Sequence, residues 1–81
     1  MEIKNKRVVV TGAASGIGLA LCEEFHASGA QSIVCVDMNA DGAKEIAKKI
    51  NGIAVAADVS NEQDIINVIE KANKYSGGID I

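Results

Sequence analysis

The sequence predicts an α/β fold, a doubly wound parallel sheet made of three strand–helix units followed by the start of a fourth strand. Three observations carry this expectation. Compact apolar runs rich in β-branched residues recur at positions 7–11, 32–36 and 52–57. They lack polar alternation, as suits parallel strands covered on both faces. Segments with helical periodicity separate them, and strict alternation of the two kinds calls for parallel pairing through right-handed crossovers.

The elements follow in order. Arg7, Val8, Val9, Val10 and Thr11 form the first strand. In the first helix Ile17, Leu21 and Phe25 recur every four residues with Ala20 beside them, and Gly29 stands at the stop position. The second strand runs from Ser32 to Val36 and ends at Asp37. Ala43, Ile46, Ala47 and Ile50 give the second helix its apolar face, with Asp41 early and Lys48 and Lys49 late, as the helix dipole favours. The third strand covers Gly52 to Ala57. Ile65, Val68, Ile69 and Ala72 mark the third helix, and Ser60 with Gln63 three residues later reads as its capping box. Glu62 and Asp64 open that helix, and Lys71 and Lys74 close it. Gly78, Ile79, Asp80 and Ile81 read as a turn entering a fourth strand. The absence of proline suits a compact chain without hinges.

Length and composition bound the functional classes. A chain of 81 residues holds one small domain, and at this size folding buries only about 60–65% of the unfolded surface. Eight Lys and Arg stand against eleven Asp and Glu, with one Phe, one Tyr and no Trp. Nucleic-acid binding needs a basic face and stacking aromatics, and neither is offered. Cys22 and Cys35 form no metal-binding spacing and sit in apolar runs, so they read as reduced, buried thiols, which points to a cytoplasmic setting. The apolar stretch 8–21 superficially resembles a secretory signal, but it carries Thr11, Ser15 and three glycines and stops at Glu23 and Glu24. No run approaches the ~18 apolar residues of a membrane span.

The chemistry-bearing residues lie where the first strand meets the first helix: Thr11, Gly12, Ala13, Ala14, Ser15, Gly16, Ile17 and Gly18. A helix N-terminus presents unpaired amides and partial positive charge, and so can hold a pyrophosphate. In this reading Gly12 permits the sharp turn, Gly16 lets backbone approach the phosphates, and Gly18 lets the helix pack closely. Ser15 adds a hydroxyl at the loop tip. The spacing is G-x-x-x-G-x-G, unlike the general dinucleotide fingerprint, and no Gly-Lys-Ser/Thr follows, which excludes a P-loop. A tight turn without a ligand is the alternative explanation of the glycines.

Asp37 lies about twenty residues beyond Gly18, the distance at which an acidic residue bonds an adenosine ribose. Its alternative is a turn or helix-capping role. A ribose 2′-phosphate about 4 Å from this carboxylate would meet a repulsion of roughly 1–4 kcal/mol. Ala13, Ala14, Met38 and Asn39 supply no cation to relieve it, and Lys44 lies within the next helix. The residues therefore point to NAD(H) rather than the phosphorylated cofactor.

Taken together, the T-G-x-x-x-G-x-G turn at 11–18, Asp37, Asp58 with Val59, and the closing Gly78 to Ile81 resemble the N-terminal part of the short-chain dehydrogenase/reductase family. The resemblance spans all 81 residues. It implies a Rossmann-type domain in which Gly12, Ser15, Gly16, Ile17 and Gly18 contact the pyrophosphate and nicotinamide side. It further implies that Asp37 and Met38 hold the adenosine ribose, and that Asp58 and Val59 hold the adenine. On the residues alone Asp58 is equally a strand-ending turn residue. The family continues into a serine and a Tyr-x-x-x-Lys pair that do the acid–base work. Tyr75 is followed four residues later by Ile79, so it cannot form that pair, and His26 is a lone, solvent-facing or dipole-compensating histidine.

The expectation is thus a partial dinucleotide-binding domain over 1–81, inactive alone, from an oxidoreductase acting on an alcohol or carbonyl substrate. The resemblance implies a homo-oligomeric parent. It also makes the first strand's outer edge an open one, because the fourth strand is barely begun. The competing readings are a short non-catalytic nucleotide-binding or interaction module, and a doubly wound fold for another nucleotide such as a methyl donor.

Overall fold

The computed structural model describes residues 3–81. Its elements run β1 (Arg7–Thr11), α1 (Gly16–Ala27), β2 (Ser32–Asp37), α2 (Ala40–Ile50), β3 (Ile53–Ala56) and α3 (Glu62–Ser76). The strands pair in the order β1-β2-β3, all parallel, with Val9 opposite Val34 and Val36 opposite Val55.

Strand pleating explains the continuous apolar runs. Successive side chains point to opposite faces, so β2 sends Ile33 and Cys35 to one side and Val34 and Val36 to the other. The first pair joins Val8, Val10, Cys22, Ile46, Ala47 and Ile50 in a core beneath α1 and α2. The second joins Val55, Ala57, Val68 and Ala72 beneath α3. These four central residues of β2 are all buried.

The fourth strand is present as a single rung. Ile81 N donates to Arg7 O at 3.1 Å, and Val9 N donates to Ile81 O at 2.9 Å, the slanted pattern of a parallel neighbour. Ile81 therefore lies on the edge of β1 away from β2. Its seat is held by an ion pair that the sequence pattern did not announce. Asp80 Oδ2 accepts from Arg7 N and from Arg7 Nε, each at 2.9 Å, while Oδ1 accepts from Nη2 at 3.0 Å. Arg7 Nη1 also donates to Gly77 O at 3.0 Å.

The expected face of α1 is rotated, while that of α3 is kept. In α1 the inward residue is Cys22, with Leu19 and Phe25 partly buried against the core. Ile17 and Leu21 face outward, 81% and 41% exposed. Gly18 causes this, because the close seat it needs fixes the rotation of the first turn. In α3 the inward residues are Val68 and Ala72, while Ile65 and Ile69 flank an apolar groove of about 280 Å³ beside β1. Val9, Ile79 and Ile81 line the same groove, so β1 has only one fully covered face.

The cap of α3 also differs from expectation. Asn61 rather than Ser60 caps it, with Oδ1 accepting from Asp64 N at 3.0 Å. Gln63 donates onward to Asn67. Asn39 caps α2 in the same way, accepting from Gly42 N at 3.1 Å.

Two outcomes follow for stability. Ile46 is 2% exposed beneath α2, and Ile46→Ala is expected to cost about 2–5 kcal/mol in urea unfolding. A loss below about 1 kcal/mol would mean that α2 is not seated on the sheet. The Asp80 carboxyl is held well below its ordinary 3.8 by hydrogen bonds from the Arg7 side chain and backbone and by its charge. That contribution is complete above the unfolded value and is lost as pH falls through the lower folded value. Asp80→Asn should therefore lower Tm at about pH 6, and the gap to the parent should close in acid toward about pH 2. A gap independent of pH would remove the ion pair as its source.

Candidate functional site

Parallel pairing brings the C-terminal ends of all three strands to one edge of the sheet, and the turns leaving them build the site. After β1 the backbone enters left-handed conformations at Gly12 (φ 64°) and Gly16 (φ 57°), with open space where a side chain would stand. Ala13 is buried and its N donates to Val36 O at 3.0 Å, which fastens the turn to β2. Gly18 has a different role from its neighbours, since a Cβ there would overlap the Gly12 carbonyl. The first turn of α1 is thus folded back onto the start of its own loop.

Unlike α2 and α3, α1 has no side-chain cap, and the Ser15 hydroxyl makes no capping hydrogen bond. The first amides of a helix need an acceptor from outside the helix. Those of α1 open toward solvent beside exposed Ser15, Gly16 and Ile17, an arrangement suited to an anion.

Asp37 ends β2 and faces this turn. Its Oδ1 accepts from Asn39 N at 2.9 Å and its Oδ2 from Ala14 N at 3.0 Å. These amides, Asn39 first and Ala14 second, hold the carboxyl below its ordinary value, so it is an ionised acceptor near neutral pH. The turn-forming and ribose-binding readings are compatible, because a carboxylate oxygen has more than one lone pair. Ala14 also packs on α2 at Gly42, where an added Cβ would lie 2.7 Å from the Ala14 methyl.

Gly12, Val36, Asp37, Met38, Ala57 and Val59 line a hollow of about 190 Å³. Beside it, Met38, Ala56, Ala57, Asp58 and Asp64 line a second of about 270 Å³. The structure therefore brings Gly12, Asp37, Met38 and Val59 together around one space, with Asp58 next to it. Gly16, Ile17 and Gly18 lie at the start of α1 instead.

Asp58 stands two residues past the end of β3, not at its last residue, although Ala57 N still donates to Asp37 O at 3.1 Å. Its Oδ1 accepts from Ser60 N at 2.9 Å and from Ser60 Oγ at 2.6 Å. These bonds hold the carboxyl below its ordinary value, the hydroxyl contributing most. Asp58 N in turn donates to Asp64 Oδ2 at 2.9 Å.

Sequence reasoning missed the supporting residues. Asn39 was legible as a polar residue just before a helical pattern. Ser60 reads from its spacing as a helix cap, and the contact of Gly42 with Ala14 leaves no trace in the pattern. Tyr75 donates to Asn51 O at 3.5 Å, a link between helix ends away from these hollows. Cys22 and Cys35 are free and buried, with Sγ atoms 3.9 Å apart. Burial pushes the Cys35 thiol up to about 12 and the Cys22 thiol upward as well, as expected of apolar fillers. Among the described residues no cluster of metal-ligating side chains occurs, and no helix is long and apolar enough to cross a membrane.

A glycine turn opening onto an uncapped helix, with a carboxylate at the next strand end, is the arrangement with which doubly wound α/β proteins hold nucleotides. The short chain dehydrogenase family model matches residues 6–81, and the chain belongs to that family of oxidoreductases. It is 41% identical to an uncharacterized oxidoreductase, YuxG, of Bacillus subtilis, with 99% of this chain and 12% of that protein covered. It is 37% identical to tropinone reductase-like 1 of Erythroxylum coca, covering 99% of this chain and 30% of the relative. Among solved structures, the 3-ketoacyl-(acyl-carrier-protein) reductase of Brucella melitensis, complexed with NADH, superposes with a TM-score of 0.91 at 36% identity. That match covers 96% of this chain and 33% of the reductase. A 7α-hydroxysteroid dehydrogenase complexed with NADH and 7-oxo glycochenodeoxycholic acid gives a TM-score of 0.90 at 29% identity, over 98% and 33% of the two chains. The chain thus spans about a third of the length of these structures.

The glycines make an ordering that composition alone would not suggest. Gly12→Ala forces a side chain into a left-handed turn with free space around it, at about 1–2 kcal/mol. Gly18→Ala drives a methyl into backbone, so it should lower Tm further even though its φ is ordinary. Equal losses in thermal unfolding would refute the close seat of α1 on Gly12.

Proposed function

We propose that this chain holds NAD(H) at the ends of its parallel strands. In the whole protein the cofactor would exchange a hydride with an alcohol or carbonyl substrate. The observation that carries the reading is the placement of Asp37, an ionised carboxylate across a hollow from Gly12 and beside the start of α1.

The residues present fit the dinucleotide. The open amides at Gly16 to Gly18 and the Ser15 hydroxyl suit the pyrophosphate. Asp37 suits the ribose hydroxyls, with Met38 beside the sugar, and Asp58 and Val59 suit the adenine. Ile17, exposed at the head of α1, faces the nicotinamide side. When bound, the nicotinamide supplies or accepts the hydride. These residues bind and orient it, while Asp37 and Asp58, both held ionised, accept hydrogen bonds and donate no proton.

Preference for NAD(H) over its 2′-phosphorylated form rests on charge. No Lys or Arg stands among the hollow-lining residues, and Lys44 is exposed on α2. The proton for the substrate oxygen requires a positioned acid or base. Residues 1–81 contain no Tyr-x-x-x-Lys pair, so the 81-residue chain should be inactive alone. Assembly of the whole protein as a homo-oligomer belongs to the same proposal.

Fluorescence titration with NADH and NADPH tests the reading. NADPH is expected to bind at least about fivefold more weakly, the effect of roughly 1 kcal/mol of repulsion. Asp37→Ser should weaken NADH and narrow that ratio. Equal or tighter binding of NADPH by the unaltered chain would show that Asp37 does not read the ribose.

A further inference from the structure

Cys22 and Cys35 meet where α1 packs on the sheet, and the nucleotide reading makes no use of them. Cys22 is the one fully buried residue of α1, and Cys35 is one of the buried central residues of β2. Both thiols are free and shut off from solvent, with their Sγ atoms 3.9 Å apart. They stand 13 positions apart in the chain, so the crossover and the packing of α1 bring them together. Residues 1–81 contain no third cysteine, which leaves each thiol a single partner within the chain.

Two features give this pair a chemistry beyond filling space. The first is distance. A disulfide places its sulfurs about 2 Å apart, so a gap of about 2 Å remains to be closed, shared between two side chains and the helix that carries one of them. The second is the light seat of α1. Ala43, Ile46, Ala47 and Ile50 bury α2 against the sheet, whereas α1 offers Cys22 alone as a fully buried residue. Local opening is cheapest where few apolar contacts are lost, so α1 lifts from the sheet more readily than α2. While α1 is seated, burial pushes both thiols upward, that of Cys35 to about 12, and keeps them protonated and unreactive. Lifting α1 uncovers the two together.

We propose that Cys22 and Cys35 form a redox modification site, at which a small-molecule disulfide such as oxidised glutathione closes a Cys22–Cys35 bond that ties α1 to β2. One cysteine thiolate attacks the S–S bond of the reagent, giving a mixed disulfide and expelling one glutathione thiolate. The second cysteine thiolate attacks the protein sulfur of that adduct, so the protein S–S bond forms and a second glutathione thiolate leaves. The protein pair gives up two electrons and two protons, and the reagent takes both up as two molecules of the reduced thiol. Where thiols are kept reduced the bond is transient, as is usual of redox-sensing cysteines. The tie holds down the helix whose first turn contains Gly16 and Gly18, and the inference does not depend on what that turn binds.

The experiment incubates the 81-residue chain with oxidised glutathione, quenches it in acid, and reads intact mass and thermal unfolding. The expected product is a monomer about 2 Da lighter than the reduced chain. Its Tm should rise by at least about 5 °C, from closure of a loop of this length, and return to its starting value in dithiothreitol. Cys35→Ala and Cys22→Ala, treated alike, should show neither the mass loss nor the rise. A parent chain that does not react, stops at the mixed disulfide or cross-links between molecules overturns the proposal, because the two sulfurs then do not meet. An intramolecular bond that lowers Tm also overturns it, since the bond would form only by giving up the seat of α1. An equal rise in either treated variant would place the effect elsewhere and overturn it as well.

Discussion

The backbone of β2 has no side that faces water. Ile33 and Cys35 are buried beneath α1 and α2, and Val34 and Val36 beneath α3. Most of the molecule follows from this double coverage. A strand buried on both faces needs helices on both, and parallel neighbours need crossovers long enough to supply them. With every crossover returning to the same starting edge, the three strand ends converge on the opposite one. The core thus places the glycine turn, Asp37 and Asp58 along one edge before any ligand is considered.

At that edge, polar bonds do what packing cannot. Asp37 receives the amide of Ala14 from the first turn and that of Asn39 from its own, so one carboxylate joins two loops. Ser60 and Asp64 fix Asp58 in a comparable way. Both carboxylates are held ionised by donors rather than by burial. Both are therefore hydrogen-bond acceptors near neutral pH, while proton transfer requires groups of another kind. The uncapped start of α1 completes the set by leaving amides for an anion.

Much of this was legible in advance. The three strands were visible as apolar runs, and the Gly12 to Gly18 turn with Asp37 carried the nucleotide reading. The misses share a cause, since each depends on contacts between residues far apart in the chain. Arg7 and Asp80 are 73 positions apart, and neither looks special in its own segment. The Ile17–Leu21–Phe25 stripe has sound helical spacing, yet Gly18 against the Gly12 carbonyl turns a different stripe inward. Ser60 and Gln63 fit a capping box, but Asn61 takes the cap and frees the Ser60 hydroxyl for Asp58.

Local chemistry is enough to specify which segments form strands and helices, where the backbone must turn through glycine, and which carboxylate follows the second strand. Those properties depend on residues within a turn or two of one another. The rotation of α1, the anchoring of Ile81 beside β1, and the hydrogen bonds that hold Asp37 and Asp58 required the folded chain. Each is fixed by steric fit or hydrogen bonds between separate elements, and periodicity along the chain carries no record of which partner a side chain will meet.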